Sequence, residues 1–115
     1  MFSVLSPAKK LNLSPLAPER SKKLSLTQPA LLGQTEQLLE TAKKLSPKDV
    51  KNLMKLSDSL AQLNYSRFQT FHLPFTPENA KPAILTFDGD TYQGFDADTL
   101  SNNDLEYSQN RIGIL

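Results

Sequence analysis

The segment Leu53–Ala61 carries two helical patterns separated by a connection only two or three residues long. Apolar residues at helical spacing precede the connection, and Ser57 stands where an N-cap would begin the second pattern. Two helices joined this closely must turn sharply and pack on each other, which restricts the fold to one with a helical corner. The segment therefore has the outline of a helix-hairpin-helix.

Such a corner has two interpretations. Ser57 would begin a helix whose free backbone N–H groups and positive dipole end can hold a phosphate, and Lys51 and Lys55 lie immediately upstream. The alternative is an ordinary corner in a packed domain. The residues of the segment alone favour the ordinary corner.

Helical patterning extends on both sides of this segment. We expect a first helix from an N-cap at Thr27 to about Leu45, a second from the capping signal Ser46-Pro47-Lys48-Asp49 to about Leu56, and a third from Ser57 to Pro74. In each, the apolar residues recur three or four positions apart and predict one buried face. These faces comprise Leu31, Leu38, Leu39, Ala42 and Leu45, then Val50, Leu53 and Met54, then Leu60, Ala61, Asn64, Tyr65, Phe68 and Phe71.

Short strands are expected at both ends of the chain. Phe2–Leu5 reads as a buried strand, Ala83–Phe87 as the clearest strand, and Thr91–Gly94 as a short one after the turn Asp88–Asp90. Residues 12–25 read as an extended surface loop pinned by Leu13, Leu16 and Leu24. A capping box at Ser101 begins a last helix with Leu105, Ser108 and Ile112 on one face. The pattern as a whole predicts an α+β fold.

Composition limits the chemistry that the chain can perform. At 115 residues we expect one domain, and without cysteine the chain has no disulfide, thiolate nucleophile or cysteine metal site. Residues 1–5 have neither the charged start nor the apolar length of a signal peptide, and no apolar run is long enough to span a membrane, so we expect a cytoplasmic location. No glycine-rich phosphate loop is present, and we expect no cofactor.

The charge of the chain is unevenly distributed along the sequence. Residues 1–55 carry a net charge of +6 and residues 56–115 a net charge of −5. This split has two explanations: a basic surface for an anionic partner, or two halves that attract each other within the fold. The second needs no ligand and is favoured when the charges are considered alone.

Two further groups of residues are candidate sites. The acidic run that begins at Asp88 lacks the closing glutamate of a calcium loop, because its twelfth position is Thr99, and we expect no metal there. Ser6 and Lys9 follow a strand, where side chains emerge at a sheet edge. With Asp88 and Tyr92 they form a candidate anion or substrate pocket, and hence the alternative hypothesis of an enzyme of unknown reaction.

Three blocks of the sequence, taken in order, resemble the YaaA family of bacterial peroxide-stress proteins. They are Ser6-Pro7-Ala8-Lys9-Lys10-Leu11, the stretch from Leu56 to Asn64 followed by Arg67-Phe68, and the stretch from Pro82 to Gly94. The resemblance implies a cytosolic bacterial protein with a mixed α/β fold peculiar to the family, which limits intracellular free iron under hydrogen peroxide. It also implies sequence-independent binding of double-stranded DNA through a basic cleft and a helix-hairpin-helix.

On this resemblance, five residues are the candidate DNA phosphate-binding set: Lys9, Lys10, Lys51, Lys55 and Ser57. The hairpin lacks the glycines of a typical helix-hairpin-helix, which predicts a looser approach of its backbone to phosphate. Family members continue beyond the position that matches Leu115, and the apolar Gly113-Ile114-Leu115 agrees with such a continuation. The chain is therefore expected to be the N-terminal fragment of a single domain, whose missing C-terminal part is a partner for folding and binding.

Overall fold

The computed structural model describes residues 1–115 and has a mixed α+β fold, as predicted. It contains seven α-helices, one short 3-10 helix and a two-stranded parallel sheet. The strands are β1 (Ser3–Leu5) and β2 (Ile112–Ile114), and the 3-10 helix is Ala97–Thr99. The helices are α1 (Pro18–Ser21), α2 (Leu32–Ala42), α3 (Pro47–Met54), α4 (Asp58–Thr70), α5 (Ala83–Thr86), α6 (Asp90–Phe95) and α7 (Asn102–Gln109).

The chain forms two compact units, which we describe separately. The terminal unit comprises Met1–Leu26 and Thr76–Leu115, and the helical unit comprises Thr27–Phe75. The helical unit is closed near its ends by the side-chain amide of Gln28, which donates to the carbonyl of Phe75 at 3.0 Å.

The helical unit is built around the packing of α3 on α4. Val50 of α3 is fully buried and Ala61 of α4 is 1% exposed. The carbonyl of Lys43, after α2, accepts a hydrogen bond from the Gln69 amide of α4 at 2.9 Å. Small buried residues on both helices allow a close approach of α3 to α4, as the predicted corner requires.

Helix α2 is shorter than predicted, and its apolar stripe is not a buried face. It begins after Leu31 rather than at Thr27, and none of its residues is fully buried. Leu38 is 72% exposed. The same holds for part of α3, where Val50 is buried but Leu53 is 71% exposed. The prediction of a buried Leu53 was wrong, because periodicity identifies an apolar face and not what covers it.

Both predicted capping boxes are present. Ser46 accepts from the backbone N–H of Asp49 at the start of α3, and the Asp49 carboxylate accepts from the N–H of Ser46. Ser101 and Asp104 make the same reciprocal pair at the start of α7. The prediction that Ile112 extends the apolar face of α7 was wrong, because the helix ends at Gln109 and Ile112 lies in β2.

Two predicted strands of the terminal unit are helices. Ala83–Thr86 forms α5, begun by Pro82, and only Phe87 is extended, in an antiparallel bridge with Leu11. Thr91–Gly94 lies within α6, whose N-cap is Gly89. A short apolar run fits a strand or a helical turn equally well, so tertiary context decides between them. Here the partner of β1 is β2, and no predicted strand pairs with it.

The core of the terminal unit consists of Leu85, Ala97 and Leu105. It is covered by residues from the segment that was predicted to be a loop and from the surroundings of α5 and α6, namely Leu16, Leu24, Ile84, Phe95 and Leu100. The segment of residues 12–25 is therefore part of the core packing, and it contains the short helix α1.

Candidate functional site

The corner between α3 and α4 places a lysine where a glycine would be usual. Lys55, the residue after α3, has φ 55° and ψ 53°, the left-handed conformation that side chains disfavour. The backbone N–H of Leu56 then donates to the carbonyl of Lys51 at 3.1 Å. The turn thus has a left-handed backbone conformation without a glycine, and the Lys55 side chain is exposed there.

Ser57 begins α4 as predicted. Its hydroxyl accepts from the N–H of Leu60 at 3.4 Å and lies 3.2 Å from the hydroxyl of Ser59. The Ser57 backbone is extended, and its carbonyl accepts the first helical bond, from Ala61, at 2.9 Å. The corner therefore presents a capped helix N-terminus beside Lys55.

A carboxylate already stands at this helix N-terminus. Asp58 is the first residue of α4, and its Oδ1 lies 2.7 Å from the Nζ of Lys51. The carboxylate is therefore well placed to interact favourably with the helix dipole, and it competes with any phosphate for Lys51. A groove of about 500 Å³ runs beside this pair, lined by Pro47, Lys48, Lys51, Asn52, Asp58, Ala61 and Gln62.

The other two lysines of the candidate phosphate-binding set lie in the terminal unit. Lys9 and Lys10 are exposed in the loop after β1. The Nζ of Lys10 lies 2.8 Å from Oδ2 of Asp88. The hydrogen bond from Lys10, together with a second from the Gln93 amide, lowers the pKa of the Asp88 carboxyl. Lys10 thus has an internal counterion, as Lys51 has in the helical unit.

The candidate anion or substrate pocket is assembled only in part. Tyr92 is buried, and its hydroxyl donates to the backbone carbonyl of Ser6 at 2.6 Å, so the Ser6 side chain takes no part in this hydrogen bond. Burial raises the pKa of Tyr92. The loop after β1 approaches the start of α6 closely at Gly89. A Cβ at this position would lie only 2.8 Å from the Cβ of Ala8, so the approach requires glycine.

A cleft of about 280 Å³ lies beside Asp88 and Tyr92. Its other lining residues are Asn12, Ile84, Leu85, Phe87, Gln93, Asp96, Ala97 and Asp98. Three carboxylates line the cleft and no lysine or arginine does, so its electrostatics disfavour an anion.

Arg20 is an organising residue that the sequence did not indicate. From α1 its guanidinium donates to the carbonyls of Asp98, Ala97 and Leu100, at 2.7, 2.9 and 3.2 Å. These hydrogen bonds connect α1 to the 3-10 helix and to Leu100 after it. The two segments are more than 70 positions apart in the sequence. No local motif marks such an arginine, because its acceptors are backbone carbonyls distant in the chain.

The uneven charge distribution is partly resolved by internal pairing. Each of the three salt bridges joins a cation of residues 1–55 to a carboxylate of residues 56–115: Lys10 to Asp88, Arg20 to Asp98 and Lys51 to Asp58. The explanation that needs no ligand therefore accounts for part of the split. Lys55 at the corner and Lys48 at the start of α3 are exposed and are not among these pairs.

None of the helices has the length and hydropathy of a membrane span.

A family model described as "Peroxide stress protein YaaA" matches residues 1–115. Relatives named "UPF0246 protein" align with the whole chain: those of Dechloromonas aromatica (strain RCB) at 49% identity, Colwellia psychrerythraea at 48% and Neisseria gonorrhoeae (strain NCCP11945) at 45%. The chain spans 43% of the length of each of these relatives.

Proposed function

Since the chain belongs to the YaaA family of peroxide stress proteins, we propose that it contributes to a cytoplasmic bacterial protein that limits free iron under hydrogen peroxide and binds duplex DNA without sequence specificity. DNA phosphates bind at the corner of α3 and α4. The observation that carries the proposal is the left-handed Lys55 beside the capped N-terminus of α4. A cation and free helix N–H groups on one exposed turn are the usual means of holding a phosphate.

The corner offers several groups for phosphates and none that reads bases. Lys55 is exposed at the turn, and Lys51 becomes available when its bond to Asp58 is exchanged for one to phosphate. Lys48 is exposed at the start of α3 and lines the groove beside Lys51. The short turn presents no long side chain such as arginine or glutamine aimed at a base edge. Binding is therefore expected to depend on charge, with a steep dependence on salt.

Lys9 and Lys10 are proposed as secondary phosphate-binding residues. Lys10 must first give up its 2.8 Å bond to Asp88. We assign no catalytic role to Tyr92 and Asp88, whose hydroxyl and carboxylate form hydrogen bonds with Ser6 and Gln93.

The test uses a chimera that joins residues 1–115 to the part of the Dechloromonas aromatica relative that the chain does not match. Affinity for a duplex of arbitrary sequence is measured over a salt series for the chimera and for its Lys51→Glu/Lys55→Glu variant. We expect the double variant to bind about tenfold or more weakly and to show a shallower salt dependence, by about 0.9 in log–log slope for each phosphate that is no longer neutralised.

The matched control is Lys22→Glu/Lys23→Glu, which makes the same charge change in the terminal unit at two exposed lysines outside the candidate set. Its affinity should fall by less than about threefold, through long-range charge alone. Equal reductions in the two double variants would disprove the corner as the DNA site.

Iron limitation is tested separately. Cells that lack their own relative are given the chimera, and free intracellular iron is measured by electron paramagnetic resonance during peroxide exposure. Restoration of low free iron supports this part of the proposal. Failure of the chimera to restore it, while the full-length relative does so, would exclude the function for this chain.

A further inference from the structure

The sheet formed by β1 and β2 is unusual in being parallel and having only two strands. Parallel sheets are normally covered on both faces, and sheets of two strands are marginal in water. Each strand here has one neighbour, so each also has an outer edge without a strand beside it. These features indicate that further polypeptide adds a strand to this sheet or covers its faces.

The register shows which backbone groups point outward. The N–H of Ser3 donates to Arg111, and the N–H of Leu115 donates to Leu5. Since backbone groups alternate between the two edges of a strand, those of Ile112 and Ile114 point away from β1. The outer edge of β1 is partly closed at its end, because the carbonyl of Ser6 accepts the Tyr92 hydroxyl. No strand lies beside the outer edge of β2, whose residues Ile112–Ile114 are half-buried.

One face of the sheet is apolar and exposed. Val4 pairs with Gly113, so these two residues share a face with Phe2, two positions from Val4. Phe2 is 60% and Val4 is 56% exposed. The Phe2 ring lies over Gly113, where a Cβ would be only 3.0 Å from two of its carbons. We call this surface, with the exposed Leu115, the open face.

We infer that the outer edge of β2 and the open face are a docking surface for the polypeptide that the relatives possess beyond the matched 43% of their length. A strand of that polypeptide pairs with Ile112–Ile114, and apolar residues of it cover Phe2 and Val4. More than half of each relative lies outside the match, which is ample to supply both. A hydrophobic edge left open would pair with other chains, so its completion within the longer protein also protects against aggregation.

Residue-resolved amide hydrogen exchange tests the inference. In the 115-residue chain, we expect protection to alternate: the inward N–H groups of Leu5, Gly113 and Leu115 exchange slowly, and the outward ones of Val4, Ile112 and Ile114 exchange about 100-fold faster or more. In the full-length Dechloromonas aromatica relative, the amides aligned with Ile112 and Ile114 should be as slow as their inward neighbours. The inward amides are the internal control.

Alternating protection that persists in the full-length relative would overturn the inference, and it would do so whether or not the shorter chain folds. A second outcome would also overturn the inference. In it, Ile112 and Ile114 are protected in the 115-residue chain but lose this protection on dilution, and the aligned amides of the relative are not protected. A second copy of the chain would then be the occupant of the β2 edge.

The open face is tested by one substitution. In the full-length Dechloromonas aromatica relative, the residue aligned with Val4 is replaced by lysine. This substitution should lower the Tm of the relative by about 3 °C or more, because the lysine would have to enter a buried apolar interface. Val4→Lys in the 115-residue chain, where this face is exposed, should change Tm by less than about 1 °C. Equal tolerance in both proteins would show that the face is not covered.

Discussion

The Nζ of Lys51 lies 2.7 Å from Oδ1 of Asp58, and this bond spans the turn between the two helices of the corner. The carboxylate interacts favourably with the dipole of α4, while the lysine stands at the last turn of α3, where a cation is also favourable. The pair therefore stabilises the corner and at the same time withholds one cation from an external anion. When the pair is broken by removing the Asp58 carboxylate, stability is expected to fall and DNA binding to strengthen.

The left-handed backbone of Lys55 gives a first prediction. Lys55→Gly should increase the free energy of unfolding by about 1 kcal/mol, because glycine adopts φ 55° without the steric cost of a Cβ. Urea unfolding measures the change. Lys55→Ala removes the same charge and keeps the Cβ, so it should give no such increase. A gain of equal size in both variants would show that the charge, and not the backbone, is responsible.

The hydrogen bond between Tyr92 and Ser6 gives a second prediction. Tyr92→Phe should lower the free energy of unfolding by about 1 kcal/mol at neutral pH, since the Ser6 carbonyl no longer has its donor. Burial raises the pKa of Tyr92 above its ordinary value of 10.0. The unfolded chain therefore ionises first, and wild-type stability falls as the pH rises above about 10.

Phenylalanine cannot ionise, so the advantage of the wild type over Tyr92→Phe should shrink above about pH 10. Unfolding of both proteins at about pH 7 and about pH 11 measures this. A difference that is constant across that range would mean that Tyr92 does not ionise more readily on unfolding.

The capping box of α3 gives a third prediction, which concerns the stability of the protein at acidic pH. Hydrogen bonds from the Ser46 hydroxyl and then from its backbone N–H lower the pKa of Asp49 below 3.8. The stability that this bond contributes is complete above the unfolded pKa, and it is lost as the pH falls through the lower folded pKa. Ser46→Ala should cost about 1 kcal/mol at neutral pH and progressively less below about pH 4.

Ser57→Ala is the matched control. Ser57 is the N-cap of α4, and the residue three positions after it is Leu60. This cap therefore includes no carboxylate that could titrate. Its removal should cost a similar amount at about pH 7 and at about pH 3, as judged by urea unfolding. If Ser46→Ala showed the same pH-independent cost, the Asp49 carboxylate would have no part in the cap.

Features encoded by neighbouring residues could be predicted from the sequence. The capping boxes at Ser46 and Ser101 and the N-cap at Ser57 depend on residues within three positions, and all three are present. The helical corner follows from them. The phosphate-binding set at this corner could be proposed for the same reason, since Lys51, Lys55 and Ser57 lie within one turn and its flanks.

Features that depend on distant residues could not be predicted. The strand β2 exists because Ile112–Ile114 meets Ser3–Leu5 from the other end of the chain. Ala83–Thr86 forms a helix and is not part of the sheet, which consists of β1 and β2 alone. The Asp58 carboxylate was visible in the sequence, but its bond to Lys51 depends on the angle at which α3 and α4 meet. Arg20 likewise acquires its role only when residues 97–100 lie against it.

The most direct test of the corner as the DNA site is the affinity of Asp58→Asn for duplex DNA, measured in the chimera over a salt series. Removing the carboxylate frees Lys51 and the helix N-terminus for phosphate. Affinity should rise about threefold or more at low salt, and the log–log slope should steepen by about 0.9 for the additional phosphate that is neutralised. Glu40→Gln, an equal charge change on the exposed surface of α2, should leave the slope unchanged. An Asp58→Asn variant with the affinity and slope of the unsubstituted chimera would contradict phosphate binding at this corner.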